Sequence, residues 1–201
     1  MIKSTIRAGT YRAMYRLLDR VSPLEFDCGL LCGAACCRDV QQEDDEEMGM
    51  SLLPGEDKIH DRKDGWLAWH EDSTEDLDYP DSWNGKVFFV RCGGPEHCRR
   101  TMRPIQCRTF PLAPHLNGPS DLVMILNDMV LPYECPLTDP EMAMALGRPF
   151  VRATYTVWKR LLSDPLIYDL VEADSLEREA VTVVFDPEER YLPGYLLLNK
   201  R

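Results

Sequence analysis

The cysteine content constrains this chain more than any other feature of its sequence. The 201 residues include eight cysteines, and two of them, Cys36 and Cys37, are adjacent. In a secreted domain, thiols at this density predict a framework of disulfides. In a reducing cytosol the same density indicates bound metal, with a redox pair or plain buried thiols as the alternatives. The compartment therefore decides how the cysteines are interpreted.

The start of the chain and its hydropathy indicate the compartment. Residues 1–20 contain no apolar core of the kind that a secretory signal needs. They are basic, acid-poor and amphipathic, so an organelle transit peptide is the alternative. No apolar run approaches the roughly 20 residues that cross a bilayer. We therefore expect a cytoplasmic protein without a membrane span, in which the cysteines bind metal.

The charge of the chain bears on its partners. The formal net charge is −11, and acidic residues are concentrated in Glu43–Glu47 and between Glu71 and Asp81. A surface of this kind repels phosphate backbones, which argues against nucleic acid and leaves another protein as the partner class. We interpret the acidic runs as solvated loops.

The hydrophobic periodicity predicts short elements on both sides of the cysteines. Apolar positions in Thr5–Arg20 have the spacing of an amphipathic helix, and Ser22-Pro23 ends it. We predict strands over Asp64–Trp69, Lys86–Cys92 and Asp121–Val130, because these runs are rich in aromatic and aliphatic residues.

The C-terminal third has a different character. Residues 139–162 have near-helical apolar spacing, which Pro149 interrupts. We predict a short helix over Pro165–Val171, a strand over Ala180–Phe185 and an irregular end. The expected fold is α+β: a small, loop-rich, metal-stabilised core with short strands, flanked by N- and C-terminal helices. The expected parts are an N-terminal amphipathic helix (residues 1–25), a cysteine-cluster core (26–138) and a helical extension packed on it (139–201).

The first cysteine cluster has the pattern C-x3-C-x3-C-C and begins at Cys28. On one continuous helix, Cys28 and Cys36 would be about 12 Å apart, which Zn–S bonds of about 2.3 Å cannot span. Gly29 and Gly33 favour a loop instead, because glycine lets the backbone turn back. Side chains of neighbouring residues diverge, so Cys36 and Cys37 should serve two centres, or one should bind and the other pack.

The second cluster consists of Cys92, Cys98 and Cys107, with Cys135 further along the chain. The spacing C-x5-C-x8-C matches neither a zinc ribbon nor a ferredoxin. Two tetrahedral four-thiolate zinc sites would use all eight cysteines, and a single iron–sulfur cluster would leave four for another ion or for packing. The pattern thus indicates metal without choosing between zinc and iron–sulfur.

Histidines and arginines accompany the second cluster. His97 and His115 are secondary candidates for ligation. We expect Arg99 and Arg100 to pair with the protein's own acids. For the two remaining arginines, Arg103 and Arg108, there are two alternatives. They either neutralise thiolates and bind an anion, since a guanidinium presents a planar fork, or form ion pairs.

Several motifs, taken in their order along the chain, resemble those of a known family. The features are the cysteines ending in Cys36-Cys37, the run Leu52-Leu53…Glu56, Cys98, and the string R-P-x2-C-R-x-F-P over Arg103–Pro111. They resemble the YkgJ-like cysteine-cluster family, whose members are described as zinc- or iron-chelating domains. The resemblance covers about residues 26–136, and the family's spacing before the double cysteine is tighter. It implies these metal ligands: Cys28, Cys32, Cys36, Cys37, Cys92, Cys98, Cys107 and, as an eighth, Cys135.

Three functions are compatible with these residues. The first is a metal-stabilised binding module, in which the metal holds a small fold together. The second, the main alternative, is an iron–sulfur-dependent enzyme. It would be either an oxidoreductase or a protein-modifying enzyme of the methylase kind that one branch of the family resembles. The third is metal delivery or storage. The sequence has no nucleophile elbow, Walker loop, G-x-G-x-x-G or H-E-x-x-H, so any catalysis would occur at the metal.

Overall fold

The fold is α+β, as predicted, with helices on either side of two small antiparallel sheets. The computed structural model describes residues 1–38, 49–76, 78–178, 180–185 and 192–197. The acidic run Glu43–Glu47 lies outside these residues. Within the described ranges, no helix combines the length and the apolar character needed to cross a bilayer.

The regular elements are as follows. The helices are α1 (Ala8–Leu18), α2 (Gly29–Cys32), α3 (Ile105–Thr109), α4 (Pro140–Ala143), α5 (Arg148–Leu161) and α6 (Pro165–Glu177). The strands are β1 (Met50–Ser51), β2 (Leu67–Ser73), β3 (Lys86–Cys92), β4 (Leu112–Leu116), β5 (Leu122–Leu126), β6 (Ala180–Phe185) and β7 (Leu192–Leu197).

The first sheet has the strand order β1-β3-β2. In its antiparallel register, Trp69 lies opposite Val90, and Leu67 lies opposite Cys92. Its buried face forms a small core that includes Trp66 and Phe88, against which Cys92 packs. The last residue of the central strand is therefore a thiol held against a hydrophobic cluster.

The second sheet has the order β4-β5-β6-β7 and belongs to the larger core. The strand β6 comes from the C-terminal extension and pairs with β5, placing Met124 opposite Phe185. The helices α1 and α5 pack against each other, and α5 also contacts β4 and β5. The large apolar side chains of Tyr11, Phe150 and Phe185 are wholly buried there. The N-terminal helix and the C-terminal extension thus share one core with the middle of the chain.

Asp164 ties the N-terminus to this core. Its wholly buried carboxylate accepts hydrogen bonds from Ser4 Oγ at 2.8 Å and from the Thr5 amide at 2.6 Å. The same side chain caps α6 by accepting from the amides of Leu166 and Ile167. A buried carboxylate with this many donors is stable in an apolar setting.

Several predicted boundaries need correction. Pro149 begins α5 rather than interrupting a helix, because a proline in the first turn removes an amide that has no helical partner. The helix α6 continues past Val171 to Glu177. The end predicted to be irregular contains β7, and β4 was not predicted, because Pro114 and His115 break its apolar pattern.

Candidate metal centre

The two cysteine clusters meet at one cleft of about 860 Å³. Five cysteines line it: Cys36, Cys37, Cys92, Cys98 and Cys107. The first two belong to the cluster after α1, the third ends β3, and the last lies in α3. The end of the first sheet, the first cluster and α3 therefore bring thiols from distant parts of the chain to one place.

The first cluster is not one continuous helix, as predicted, but Gly29 begins a short helix rather than a loop. The short helix α2 ends at Gly33, which has a φ of 64°, and Ala34 follows with a φ of 61°. Left-handed backbone costs little at glycine but is uncommon at alanine, so the surrounding structure holds this turn. A 3-10 turn over Ala35–Cys37 then brings the Sγ atoms of Cys36 and Cys37 to 3.7 Å from each other.

The ionisation of Cys37 is favoured by its neighbours. A hydrogen bond from the Cys36 thiol lowers the pKa of Cys37 below its ordinary value. Burial opposes this shift, while the positive charges of Arg103 and Arg100 support it. For Cys36 the same hydrogen bond and its burial raise the pKa. The adjacent thiols therefore differ in character, and Cys37 is the stronger candidate for a thiolate.

Cys107 also lines the cleft and is half-buried. Burial raises the pKa of its thiol to about 12, which Arg103 opposes and the charges of nearby cysteines reinforce. Those cysteines are Cys37, Cys98 and Cys92. These four residues are thus close enough for their charges to act on one another, and they form one group, which we call the cleft thiols.

Three of the remaining cysteines, Cys28, Cys32 and Cys135, are absent from the cleft lining. The charges of Cys32 and Cys135 both raise the pKa of Cys28, although burial raises it more. Cys28 and Cys135 pack against the larger core, whereas Cys92 packs against the smaller one. Cys36 lies between the groups, because the charges of both Cys107 and Cys28 act on it.

Arg103 contacts a thiol directly. Its Nε donates a hydrogen bond to the Sγ of Cys98 over 2.9 Å. Burial lowers the pKa of Arg103, but this bond and the nearby thiols raise it above its ordinary value. Of the two alternatives considered for Arg103, contact with the thiols is the one that the structure shows.

Arg108 has a different role. Its side chain is only 7% exposed and forms an ion pair with Asp19. It also donates to the carbonyl oxygen of Thr101 at 3.0 Å and lies over the ring of Tyr15. The guanidinium therefore links α1 to the segment before α3. This is the ion-pair alternative considered for Arg108.

The other predicted polar residues lie apart from the thiols or at the cleft edge. Arg99 pairs with Asp64 and Arg100 with Asp27, which confirms that both contact the protein's own acids. His97 lines the cleft, and its Nδ1 lies 3.0 Å from the carbonyl oxygen of Gly93. His115 is wholly buried in β4, and within the described part of the chain neither ring nitrogen has a hydrogen-bond partner. It is absent from the cleft lining.

A buried carboxylate, that of Glu56, was missed as a site residue. Glu56 is wholly buried, and its Oε1 accepts from the Tyr15 hydroxyl at 2.6 Å and from the Ile105 amide at 2.7 Å. Its Oε2 accepts from the Leu53 amide at 3.2 Å. Burial raises the pKa of Glu56, and these hydrogen bonds oppose the shift. The available signal was an acidic residue after the Pro54-Gly55 turn, within the string that suggested the family.

The Tyr15 hydroxyl also contacts His60. Because the Tyr15 proton is donated to Glu56, the hydroxyl oxygen accepts from His60 Nε2, 3.1 Å away. This assignment leaves Nδ1 of His60 deprotonated, and that buried nitrogen has no partner among the residues that the structure describes. Burial lowers the pKa of His60 to about 4.

No family model, curated protein or solved structure matches the chain. The resemblance to the cysteine-cluster family therefore remains a prediction, and the site is interpreted from its own chemistry. Thiolates are soft ligands that suit zinc and iron–sulfur clusters, so the donor atoms are of the right kind. Among the residues that the structure describes, no three His, Cys, Asp or Glu side chains are arranged to hold a metal ion. The thiols are gathered around the cleft but not drawn in to ligand distances.

Proposed function

We propose that this is a metal-binding protein whose two cysteine clusters jointly hold zinc or an iron–sulfur cluster, and that the metal stabilises a binding module. The observation that carries the proposal is that Cys36 and Cys37 share one cleft with Cys92, Cys98 and Cys107. Thiols from separate segments are seldom gathered by packing alone, since ionised thiols repel one another. A bound cation offsets that repulsion.

Metal accounts for the cysteines better than disulfides do. All eight are free, and the sulfur atoms of the adjacent residues Cys36 and Cys37 lie 3.7 Å apart. A disulfide requires about 2.05 Å. Metal ligands must be deprotonated, and the environment of Cys37 already favours its thiolate.

The cleft thiols would provide one closed four-thiolate site. Cys37, Cys92, Cys98 and Cys107 have the number and type of donors found in structural zinc sites and in iron–sulfur clusters. When bound, the metal would supply positive charge and cross-link the first cluster to β3 and α3. Cys28, Cys32 and Cys135, with Cys36 beside them, are the candidate ligands of a second centre.

A closed site points to a structural metal, and the surface would then bind a partner, which we propose is another protein in the cytoplasm. The chain's acidity argues against nucleic acid. An iron–sulfur-dependent enzyme is the alternative. It is favoured by the size of the cleft, about 860 Å³, which is in the range of small-molecule sites and is lined by Arg38 and Arg103.

Anaerobic purification followed by metal analysis and absorbance spectroscopy tests the proposal. A colourless protein with stoichiometric zinc supports the metal-stabilised module. A brown protein with iron and acid-labile sulfide supports the iron–sulfur alternative. A protein that is folded, metal-free and unable to take up either metal overturns both.

A further inference from the structure

We propose that Glu56 is a positioning residue for the cleft thiols. Its buried carboxylate fixes the segment that holds both Arg103 and Cys107 in place. The inference rests on the proposed function, since it concerns the metal site, and it adds a residue that is not itself one of the proposed ligands.

The first step is the cost of burying Glu56. A carboxylate removed from water is strongly destabilising unless its oxygens accept good hydrogen bonds. Glu56 is wholly buried and has three donors, from Tyr15, Ile105 and Leu53. These hydrogen bonds therefore fix the position of the carboxylate relative to its three donors.

The second step is the place where the carboxylate acts. Ile105 is the first residue of α3, and its amide donates to Glu56 Oε1 over 2.7 Å. A helix of five residues has little stability of its own, so tertiary contacts decide how α3 is oriented. Arg103 lies two residues before this anchor and Cys107 two residues after it.

The third step is the rigidity of the segment that carries Glu56. The residue before Glu56 is Gly55, with a φ of 84° that an L side chain rarely adopts, so this turn requires glycine. Tyr11 donates to the Pro54 carbonyl oxygen at 2.8 Å, and Tyr15 donates to Glu56 itself. The carboxylate is thus held by α1 and by the turn, and it transmits that fixed position to α3.

The geometry specifies the most informative substitution. In Glu56→Gln the size is retained, but one oxygen becomes an NH2 group. That group must face either the Leu53 amide or the Tyr15 and Ile105 donors, so a donor meets a donor. The anchor of α3 weakens, and Arg103 and Cys107 lose their fixed spacing.

Asp164→Asn is the matched control. Asp164 is also wholly buried and also accepts several hydrogen bonds, but its partners are Ser4, Thr5 and the start of α6. Both substitutions remove a satisfied buried carboxylate, so both should lower stability. Only the first should change the metal site.

The test measures Zn²⁺ affinity by competition with a chelator and the absorbance of the Co²⁺-substituted protein, for the full chain and each variant. We expect Glu56→Gln to weaken Zn²⁺ binding by about 10- to 100-fold, as for other groups that orient ligands, and to shift the thiolate-to-cobalt bands. Asp164→Asn should bind like the wild type. Tyr15→Phe, which removes one donor without changing the ring, should give a smaller loss in the same direction and serves if Glu56→Gln does not fold.

Two outcomes would overturn the inference, and they differ in what else they affect. Unchanged affinity and cobalt spectrum in both Glu56→Gln and Tyr15→Phe, or an equal loss in Asp164→Asn, refutes the positioning role and leaves the proposed function intact. A wild-type protein that binds neither Zn²⁺ nor Co²⁺ refutes the proposed function and this inference together.

Discussion

The Nε of Arg103 donates a hydrogen bond to the Sγ of Cys98 over 2.9 Å. Hydrogen bonds with an ionised donor are stronger than neutral ones, and this donor is permanently charged. In a chain with a net charge of −11, the bond places a cation where the thiols gather. We therefore expect Arg103 to support the proposed metal site rather than to act only at the surface.

Arg103→Gln should lower metal affinity by about 10-fold or more, because the thiol loses a charged donor and the cleft loses a cation. Arg103→Lys keeps the positive charge but lacks the planar guanidinium donors, so its metal affinity should lie between those of the wild type and Arg103→Gln. Arg99→Gln is the matched control, because Arg99 pairs with Asp64 at an exposed position. Chelator competition measures all three. Equal affinity in the two glutamine variants would contradict this expectation.

Arg108→Gln should lower stability and leave metal affinity unchanged. Its guanidinium is only 7% exposed, pairs with Asp19 and lies over Tyr15, so its removal leaves a carboxylate and a ring without their partner. We expect a loss of about 1–3 kcal/mol in the free energy of unfolding. Denaturant titration of the metal-loaded protein measures it. A fall in metal affinity as large as that of Arg103→Gln would show that the two arginines act alike.

Metal removal should loosen the first sheet and the clusters while sparing α5 and α6. The first sheet has a small core of its own, and the clusters are held by turns, so the proposed metal would supply much of their folding energy. The C-terminal helices belong to the larger core through residues such as Phe150 and Ile167. Hydrogen exchange with and without chelator separates the regions. Equal protection of β3 in both states would count against this view.

His60 should make stability pH-dependent. The ordinary pKa is 6.5, and burial lowers it to about 4, so between these values the unfolded chain binds a proton that the folded protein does not. Well above pH 6.5 His60 is neutral in both states and does not reduce stability. As the pH falls toward 4, the free energy of unfolding falls by on the order of 3 kcal/mol because the unfolded chain takes up the proton first. His60→Gln should flatten that part of the profile. Parallel profiles for the two proteins would show that His60 does not titrate there.

The sequence predicted elements well where the apolar pattern was continuous. The strands β3 and β6 lie where expected, and α1 falls inside its predicted range. The strand β4 was missed because Pro114 and His115 interrupt the alternation, and only pairing with β5 shows that it is a strand. Local pattern does not report such tertiary pairing.

The candidate site was likewise predictable where local pattern decides and not where tertiary contacts decide. Spacing and chemistry identified the cysteines, and thiolate neutralisation was one of the two alternatives for Arg103. The role of Glu56 depends on hydrogen bonds to Tyr15 and Ile105, which are far from it in sequence. Spacing carries no signal for such contacts. The division of the cysteines between the cleft and the larger core likewise follows from the fold.

The most direct test is the metal content of the purified protein and of two variants, Cys37→Ser and Cys107→Ser. These residues come from different clusters and line the same cleft. If the clusters share a centre, each substitution alone removes one of its ligands, and each variant should lose most of the metal of that centre. Wild-type metal content in both variants would contradict the shared thiolate site.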